Sequence, residues 1–498
     1  MSIMNTFRKY MLVAALAATT GSVVAQDLNS AYFTDGYSYR HDMNPAYGND
    51  NTYFAIPVLG NIGVQTRGTL GVGDIFYSNP YYGNPQYPGA KKTATFMHPG
   101  ISVDEALSNF EEGTNTLIFN MDLPIFSMGW AAFDGYNTIE LRSRTHFGLS
   151  VPYEFFEFAK NPSNKEYSFT DLGARAWSYA ELAFGHSRRI YDNLRVGAKV
   201  KVLLGLGYGE FSMNDVHAKL NGDQWLLEGK ARAQVNVKGA KFKEEQDEYK
   251  TRPGKYNKVN GLDVDGSGLN GFGLGLDLGA IYEFKDCSAE WLDGLKASIA
   301  LTDLGFISYG NTIVAESSGN PFVFDGFNTL AVTSDSKDKT FDVQKDELSD
   351  KLTDFVNLEK KDESGSTTQG LGATLRMGLE YPLPMYDKLS FGFLYTHRYG
   401  ADLYHWSEGR LSANWAPLNW LDGGINLGFN TFSTEMGWIL NLHPKGFNIF
   451  MGMDYMMGKT GKSMIPVESN VCFNFGINLT WGSNSKRKDK RDLEALTF

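Results

Sequence analysis

Residues 194–206 read LRVGAKVKVLLGL. Leu194, Val196, Ala198, Val200, Val202, Leu204 and Leu206 take every second position, and Arg195, Gly197, Lys199 and Lys201 stand between them. A period of two is a β-strand, because successive side chains leave opposite faces of a sheet. One face of this strand is hydrocarbon and the other is cationic. A soluble antiparallel sheet with one wet face accepts that pattern. So does a membrane barrel, with lipid outside and a polar lumen inside. One strand does not choose between them.

The alternation recurs along the chain. At 140–149, Glu140, Arg142, Arg144 and His146 oppose Leu141, Phe147 and Leu149. At 272–283, Phe272, Leu274, Leu276 and Leu278 oppose Gly273, Gly275, Asp277 and Gly279. At 373–381, Leu375, Met377 and Leu379 oppose Thr374, Arg376 and Gly378, and at 471–481 Phe473, Phe475 and Ile477 oppose Asn474, Gly476 and Asn478. Segments of about ten alternating residues separated by turns are the signature of a transmembrane barrel. Glycine shares the polar face with charge, which suits a crowded, curved inner wall. Aromatic residues close the apolar face at strand ends (Tyr282, Tyr381, Trp481), where interfacial girdles lie. From the C-terminus back, short connections such as 443–446 and 382–388 alternate with longer ones such as 456–469 and 399–406. The tiny one near 432–435 breaks the rule. The expected fold is all-β, a transmembrane antiparallel barrel of about 14 strands, with 12 or 16 left open.

Composition narrows the class. Mean hydropathy is −0.30 and no run of about 18 apolar residues occurs, so no spanning helix is expected after processing. The N-terminus has the parts of an export signal: Arg8 and Lys9, the apolar MLVAALAATTGSVVA, then Val23 and Ala25 before Gln26. The formal charge of −11 argues against nucleic acid as a partner. Cys287 and Cys472 are the only cysteines, too few for a disulfide scaffold, and their pairing stays open. The chain divides into a signal peptide (1–25), an N-terminal plug segment (26–52), a barrel (53–482) and a periplasmic tail (483–498).

Residues 26–50 make poor wall, since they lack apolar alternation. They are too aromatic for a solvated tail, with Tyr32, Phe33, Tyr37, Tyr39 and Tyr47. They are expected inside the barrel, restricting flow. Arg142, Arg144, Lys199, Lys201, Asp277 and Arg376 are expected to line the lumen, because charge on the lipid face costs about 2–4 kcal/mol at the midplane. For most of them a self-satisfying ion-pair network outweighs a polar path or ligand cradle. Lys201→Ala is expected to be tolerated far better than Val200→Arg.

Three inserts stand out. ISVDEALSNFEE (101–112) opens with a capping box of Ser102 and Glu105, with Ile101 as staple, and reads as a short helix. A stripe of Leu348, Leu352, Phe355 and Val356 makes 341–361 a second expected helix. The charged insert 239–268 reads as mobile. DVDGSGLNG (263–271) offers Asp263, Asp265 and Asn270 as calcium ligands but lacks the twelfth-position Glu, and a glycine-rich turn explains it as well. His186 and Ser187 are sequence neighbours, so on a strand they face apart and make no catalytic pair. No metal-ligand spacing or phosphate loop is evident. The expectation is a non-enzyme without cofactor.

NSAYF and YRHDMNPA (29–33 and 39–46), GFGLGLDLGAIY (271–282) and YPLPMYDKLSFGFLYTHRYG (381–400) resemble the FadL/PorV-like outer-membrane barrels. They are similar, more closely, to an uncharacterised barrel family of Bacteroidota carried as a domain of unknown function. The resemblance implies 14 strands and a lumen plug carrying the motif Asn44, Pro45 and Ala46. In FadL-type transporters that plug gates hydrophobic ligands; PorV-type relatives serve type IX secretion. It therefore implies, in the cell outer membrane, passive transport of a small hydrophobic or amphipathic ligand. The alternative is a non-transport adaptor or scaffold in an envelope or secretion complex. Outer-membrane lipid is the surrounding partner in both.

Overall fold

The computed structural model describes residues 28–49, 51–161, 163, 165–221, 224–248, 253–266, 268–285, 287–289, 292–317, 322–324, 358–400, 405–455 and 471–482. Fourteen antiparallel strands form its wall. β1 is built from two pieces, Thr52–Ala55 and Ile62–Gly68. Then come β2 (Thr114–Ala132), β3 (Gly135–Pro152), β4 (Leu172–Tyr191) and β5 (Leu194–Asn221). They are followed by β6 (Gly271–Glu283), β7 (Lys296–Tyr309), β8 (Thr374–Leu383), β9 (Tyr386–Arg398) and β10 (Trp406–Leu418). The last four are β11 (Leu421–Asn430), β12 (Thr434–Leu442), β13 (Phe447–Tyr455) and β14 (Val471–Trp481). Each strand pairs with the next, and β1 pairs with both β2 and β14, so the sheet closes on itself. Closure satisfies every edge, which an open sheet in lipid cannot do.

Burial is inverted relative to a soluble protein. Lys199 and Lys201 are each 2% exposed, while Val200 between them is 53% exposed. Around the ring Phe184, Leu274, Ile299, Met377, Phe393, Leu411 and Ile425 face out. Glu140, Arg142, Glu181, Asp277, Arg376, Glu408 and Arg410 are buried inside. Water on the outer face would leave this apolar belt unsatisfied, whereas lipid matches it. Tyr282, Trp415, Trp420 and Trp481 are exposed beside the short connections at one end, and Tyr381 is half-buried there. This end collects the turns at 133–134, 192–193, 384–385, 419–420 and 443–446, and the longer 284–295. The opposite end carries the large inserts. It also carries the tiny 431–433 connection, whose turn is tied by Asn430, its side chain accepting from the Phe432 and Ser433 N–H groups.

The inserts depart from expectation in two places. Within 239–268, strands 240–248 and 255–264 pair as a charged hairpin. Beyond residue 205, β5 exchanges β6 for 224–237 as its partner, while 207–213 stays paired with β4, extending the sheet beyond the barrel. Residues 312–317 and 358–361 join this external sheet. The helix expected at 341–361 falls mostly outside the described residues, and its last four positions are strand, Leu358–Lys361. The helix Val103–Leu107 is present, with the Ser102 hydroxyl accepting from the Glu105 N–H at 3.1 Å and Ile101 buried. It packs in an external apolar cap with Leu70, Phe96, Phe110, Phe156 and Leu172, where Phe110 and Phe156 stack at 3.7 Å.

Candidate functional site

The chain before β1 does not join the wall. Residues 28–49 form a short 3-10 turn (Asn29–Ala31), one helical turn (Arg40–Met43) and a closing bend, and most are fully buried. Asn44, Pro45, Ala46 and Tyr47 make a β-turn. The Tyr47 N–H donates to the Asn44 carbonyl at 2.9 Å, proline sits second, and the Asn44 side chain accepts from the Ala46 N–H at 2.9 Å. The aromatic residues supply a core of their own: Tyr32, Phe33, Tyr37 and Tyr39 pack with Tyr53, Tyr136 and Phe450 of the wall.

Polar contacts run from this segment to the inner faces of strands around the ring. The Asn29 and Ser30 N–H groups donate to Asp454 of β13 at 2.9 and 2.7 Å. The Gly36 N–H donates to Asp422 of β11, and the Tyr39 hydroxyl to Asn478 of β14, each at 2.7 Å. His41 bonds Tyr53 of β1 at 2.8 Å, and Tyr32 bonds Ser298 of β7 at 3.0 Å. The wall has glycines where the bend approaches. A Cβ on Gly197 would overlap the Pro45 carbonyl, and one on Gly279 would overlap the Asn44 side chain. Backbone of the bend thus lies against backbone of the wall, which only glycine permits.

Asp42 is the ionic centre of the contact. Arg142 of β3 pairs with it, and Lys199 of β5 donates to it at 2.6 Å. Both cations also hold Glu140, at 2.6 and 2.7 Å, and Arg142 reaches Asp122 at 3.1 Å. Arg144 continues the network to Asp303 at 3.0 Å and Glu181 at 3.4 Å. Lys201 lies between Asp277 at 2.8 Å and Asp303 at 2.6 Å. Five of the six expected lumen residues thus join one buried network. Arg376 donates to Thr302 at 3.1 Å. Lys201→Ala would take from the buried Asp277 the cation 2.8 Å away, while Asp303 would keep Arg144, so this geometry argues against the expected tolerance. The residues that sequence reasoning missed are the partners: Asp42, Asp122, Glu181 and Asp303. Glu140 and Glu181 carried a signal, since both lie in phase with neighbouring inward residues.

The lumen is layered. Along β5 and outward from the short turns come Gly197 beside Pro45, then Lys199 and Lys201, then Leu203. Leu203 belongs to an aromatic layer of Trp177, Tyr179, Tyr208, Ile307 and Tyr309, all buried. His186 and Ser187 lie on opposite faces, one exposed and one buried, each with its own partner (Asn137 and Arg195). Of the calcium candidates, Asp263 pairs with Lys243 at 2.6 Å and the Asn270 side chain accepts from Asn311. Cys287 lies in a connection at the short-turn end, Cys472 faces inward near the other end, and both are free thiols.

These features define a class: a closed transmembrane β-barrel with apolar belt outside, ionic lattice inside, and its own N-terminal residues packed against that lattice. The chain belongs to the family of unknown function DUF5723, whose model matches residues 45–454. No curated protein matches it. Among solved structures it is similar to the Ralstonia pickettii toluene transporter TbuX, at 10% identity over 92% of this chain and 94% of that one, TM-score 0.37. A TodX deltaS2S3 mutant monoaromatic hydrocarbon channel gives 10% identity over 92% and 95%, TM-score 0.37. A Pseudomonas aeruginosa FadL homologue gives 10% identity over 93% and 99%, TM-score 0.36. At these scores the barrel assignment rests on the strand pairing above, not on the likenesses.

Proposed function

We propose that this protein is an outer-membrane channel for a small hydrophobic or amphipathic molecule, closed at rest by residues 28–49 with Asn44, Pro45 and Ala46 at the wall. The carrying observation is the spread of the segment's polar contacts over β1, β3, β5, β7, β10, β11, β13 and β14, which leaves no side of the ring unengaged. A segment held on all sides blocks the axis. The aromatic layer beyond it offers rings and hydroxyls of the kind an amphipathic ligand meets in binding sites. The export signal and the even strand count, with both wall ends at the short-turn side, support an outer-membrane location.

Deleting residues 27–48, with the signal and cleavage site kept, tests the reading. The barrel should assemble and conduct more than the parent in planar bilayers. An assembled deletion that conducts no more than the parent removes the gate. It would favour the second reading, an envelope adaptor or scaffold as in type IX secretion. That reading has its own support in the charged external sheet built from 207–221, 224–237, 240–248, 255–264, 312–317 and 358–361. A stable partner co-purifying through that sheet would carry it.

A further inference from the structure

The external insert between β1 and β2 carries a surface that gating does not use. The whole chain has a formal charge of −11, yet residues 75–103 contain no Asp or Glu. Lys91 and Lys92 stand in this acid-free stretch and are exposed. Phe76, Tyr82 and Tyr87 are 51%, 58% and 44% exposed beside them in the sequence. Exposed rings in such number mark an interaction site more often than plain surface.

The rings are held in place. Strands Phe76–Ser78 and Thr93–Thr95 pair as the base of a flap, and the Asn109 side chain donates to the Tyr77 hydroxyl at 2.7 Å. At the tip the chain makes two Asn-Pro-x-Tyr turns in succession, NPYY (79–82) and NPQY (84–87). In each, the last N–H donates to the Asn carbonyl, at 3.0 and 2.9 Å. The Asn side chain accepts from the third N–H, at 2.9 and 3.0 Å. NPAY (44–47) makes the same turn inside the lumen, where Tyr47 is covered by Arg40. Outside, Tyr81 and Tyr87 stack at 4.2 Å with 10° between their planes, and His98 meets Tyr81 edge-on at 4.8 Å. Proline and the paired turn bonds restrict the backbone, so little entropy is left to lose on binding. Rigid exposed tyrosine is the material of recognition surfaces.

Two observations choose the occupant. Ring faces are negative, and suit the C–H face of a pyranose, while the tyrosine hydroxyls meet sugar hydroxyls. Adjacent ammonium groups on an acid-free surface suit phosphate carried on that sugar. Lysine is depleted from protein–protein interfaces, which disfavours a protein on the same patch. We propose that the 76–98 flap binds the phosphorylated sugars of the lipopolysaccharide of its own outer leaflet, with tyrosine rings against pyranoses and Lys91 and Lys92 against phosphate. The proposal holds for a channel and for a scaffold alike, so it does not rest on the transported ligand.

Full-length protein in detergent is titrated with deacylated, core-phosphorylated lipopolysaccharide, with the same saccharide after dephosphorylation, and with polygalacturonate. The parent is compared with Tyr82→Ala/Tyr87→Ala and with Lys91→Gln/Lys92→Gln, and heat-modified gel mobility controls for folding. The tyrosine pair should cost about tenfold in affinity. The lysine pair should cost about 30-fold. Dephosphorylation should weaken binding to the parent and weaken the lysine variant no further. Failure of the folded parent to bind the phosphorylated saccharide overturns the proposal, as does parental affinity in either variant. Binding by the parent that ignores phosphate also overturns it. A preference for polygalacturonate overturns it in favour of a soluble polyuronide. An amine cross-link on intact cells from Lys91 or Lys92 to another protein overturns it in favour of a protein partner.

Discussion

Asp42→Asn separates docking of the N-terminal segment from stability of the wall. In the parent, Asp42 accepts from Arg142 and Lys199, two charge-assisted contacts worth about 1.5–3 kcal/mol each. Asparagine loses the charge and offers one acceptor oxygen to the two cations, so about one of the two contacts is lost. The expected weakening of docking is therefore about 1.5–3 kcal/mol, or roughly 10- to 100-fold in the undocked population. The wall should survive. Arg142 retains Glu140 at 2.6 Å and Asp122 at 3.1 Å, and Lys199 retains Glu140 at 2.7 Å, so no cation is left alone. The assay is single-channel recording in planar bilayers, with heat-modified gel mobility as the control for assembly. Asp42→Asn should open more often than the parent and less than the 27–48 deletion. An assembled Asp42→Asn barrel with parental opening frequency, beside a deletion that conducts freely, would refute the reasoning that the Asp42 clasp holds the segment.

Other tests probe the wall and its orientation. Gly197→Ala sets a methyl against the Pro45 carbonyl and should raise conductance without removing a charge; an unchanged trace would contradict the close approach. Val200→Arg should impair membrane insertion by roughly 2–4 kcal/mol. Lys201→Ala should instead destabilise the inserted barrel by about 3–5 kcal/mol, and Asp277→Asn should partly restore it but not Val200→Arg. Equal rescue of both, followed by urea unfolding in bilayers, would mean that the two positions share one face. A polymer-linked maleimide should reach Cys287 only after the outer membrane is opened, and Cys472 only after unfolding. Labelling of Cys287 on intact cells would reverse the assigned orientation.

The fold was legible because period-two alternation is a local property. Val200 and Lys201 announce their faces without knowledge of any other strand, and repetition of that signal is enough for a barrel. Connection lengths added the strand count. The site was legible only in half. Arg142, Lys199 and Asp277 announce that they face the lumen, but their partners come from far along the chain. Arg142 and Asp42 are 100 residues apart, and Lys199 and Asp42 are 157 apart. Pairing at that distance depends on register around the ring, which composition does not carry. The 239–268 hairpin was missed for a different reason. Its strands are charged on both faces, so the alternation that marks a strand is nearly absent from EEQDE (244–248). The 341–361 stripe misled at its end because Lys360 and Lys361 pair in a sheet with 314–317.

The distribution of charge within the N-terminal segment bears on whether it is a fixed filler or a movable gate. Arg40 is satisfied inside the segment: it pairs with Asp35 at 2.5 Å, donates to the Tyr32 carbonyl at 3.1 Å and lies over the Tyr47 ring at 3.7 Å. Those contacts hold the segment's own shape and travel with it. Asp42 is the opposite case, since its strong partners belong to the wall. The wall network without it still counts four cations (Arg142, Arg144, Lys199, Lys201) against five carboxylates (Asp122, Glu140, Glu181, Asp277, Asp303). Withdrawal of Asp42 therefore leaves the wall no poorer in counter-charge, and relieves the crowding of three carboxylates around Arg142. A filler required for the barrel's own electrostatics would show the reverse, with wall cations left bare when it departs. The segment folds on itself and docks through one clasped carboxylate and through hydrogen bonds that its amides donate to the wall carboxylates Asp422, Glu408 and Asp454; the cations that clasp Asp42 keep wall counter-charges without it. That arrangement suits a part that moves as a unit.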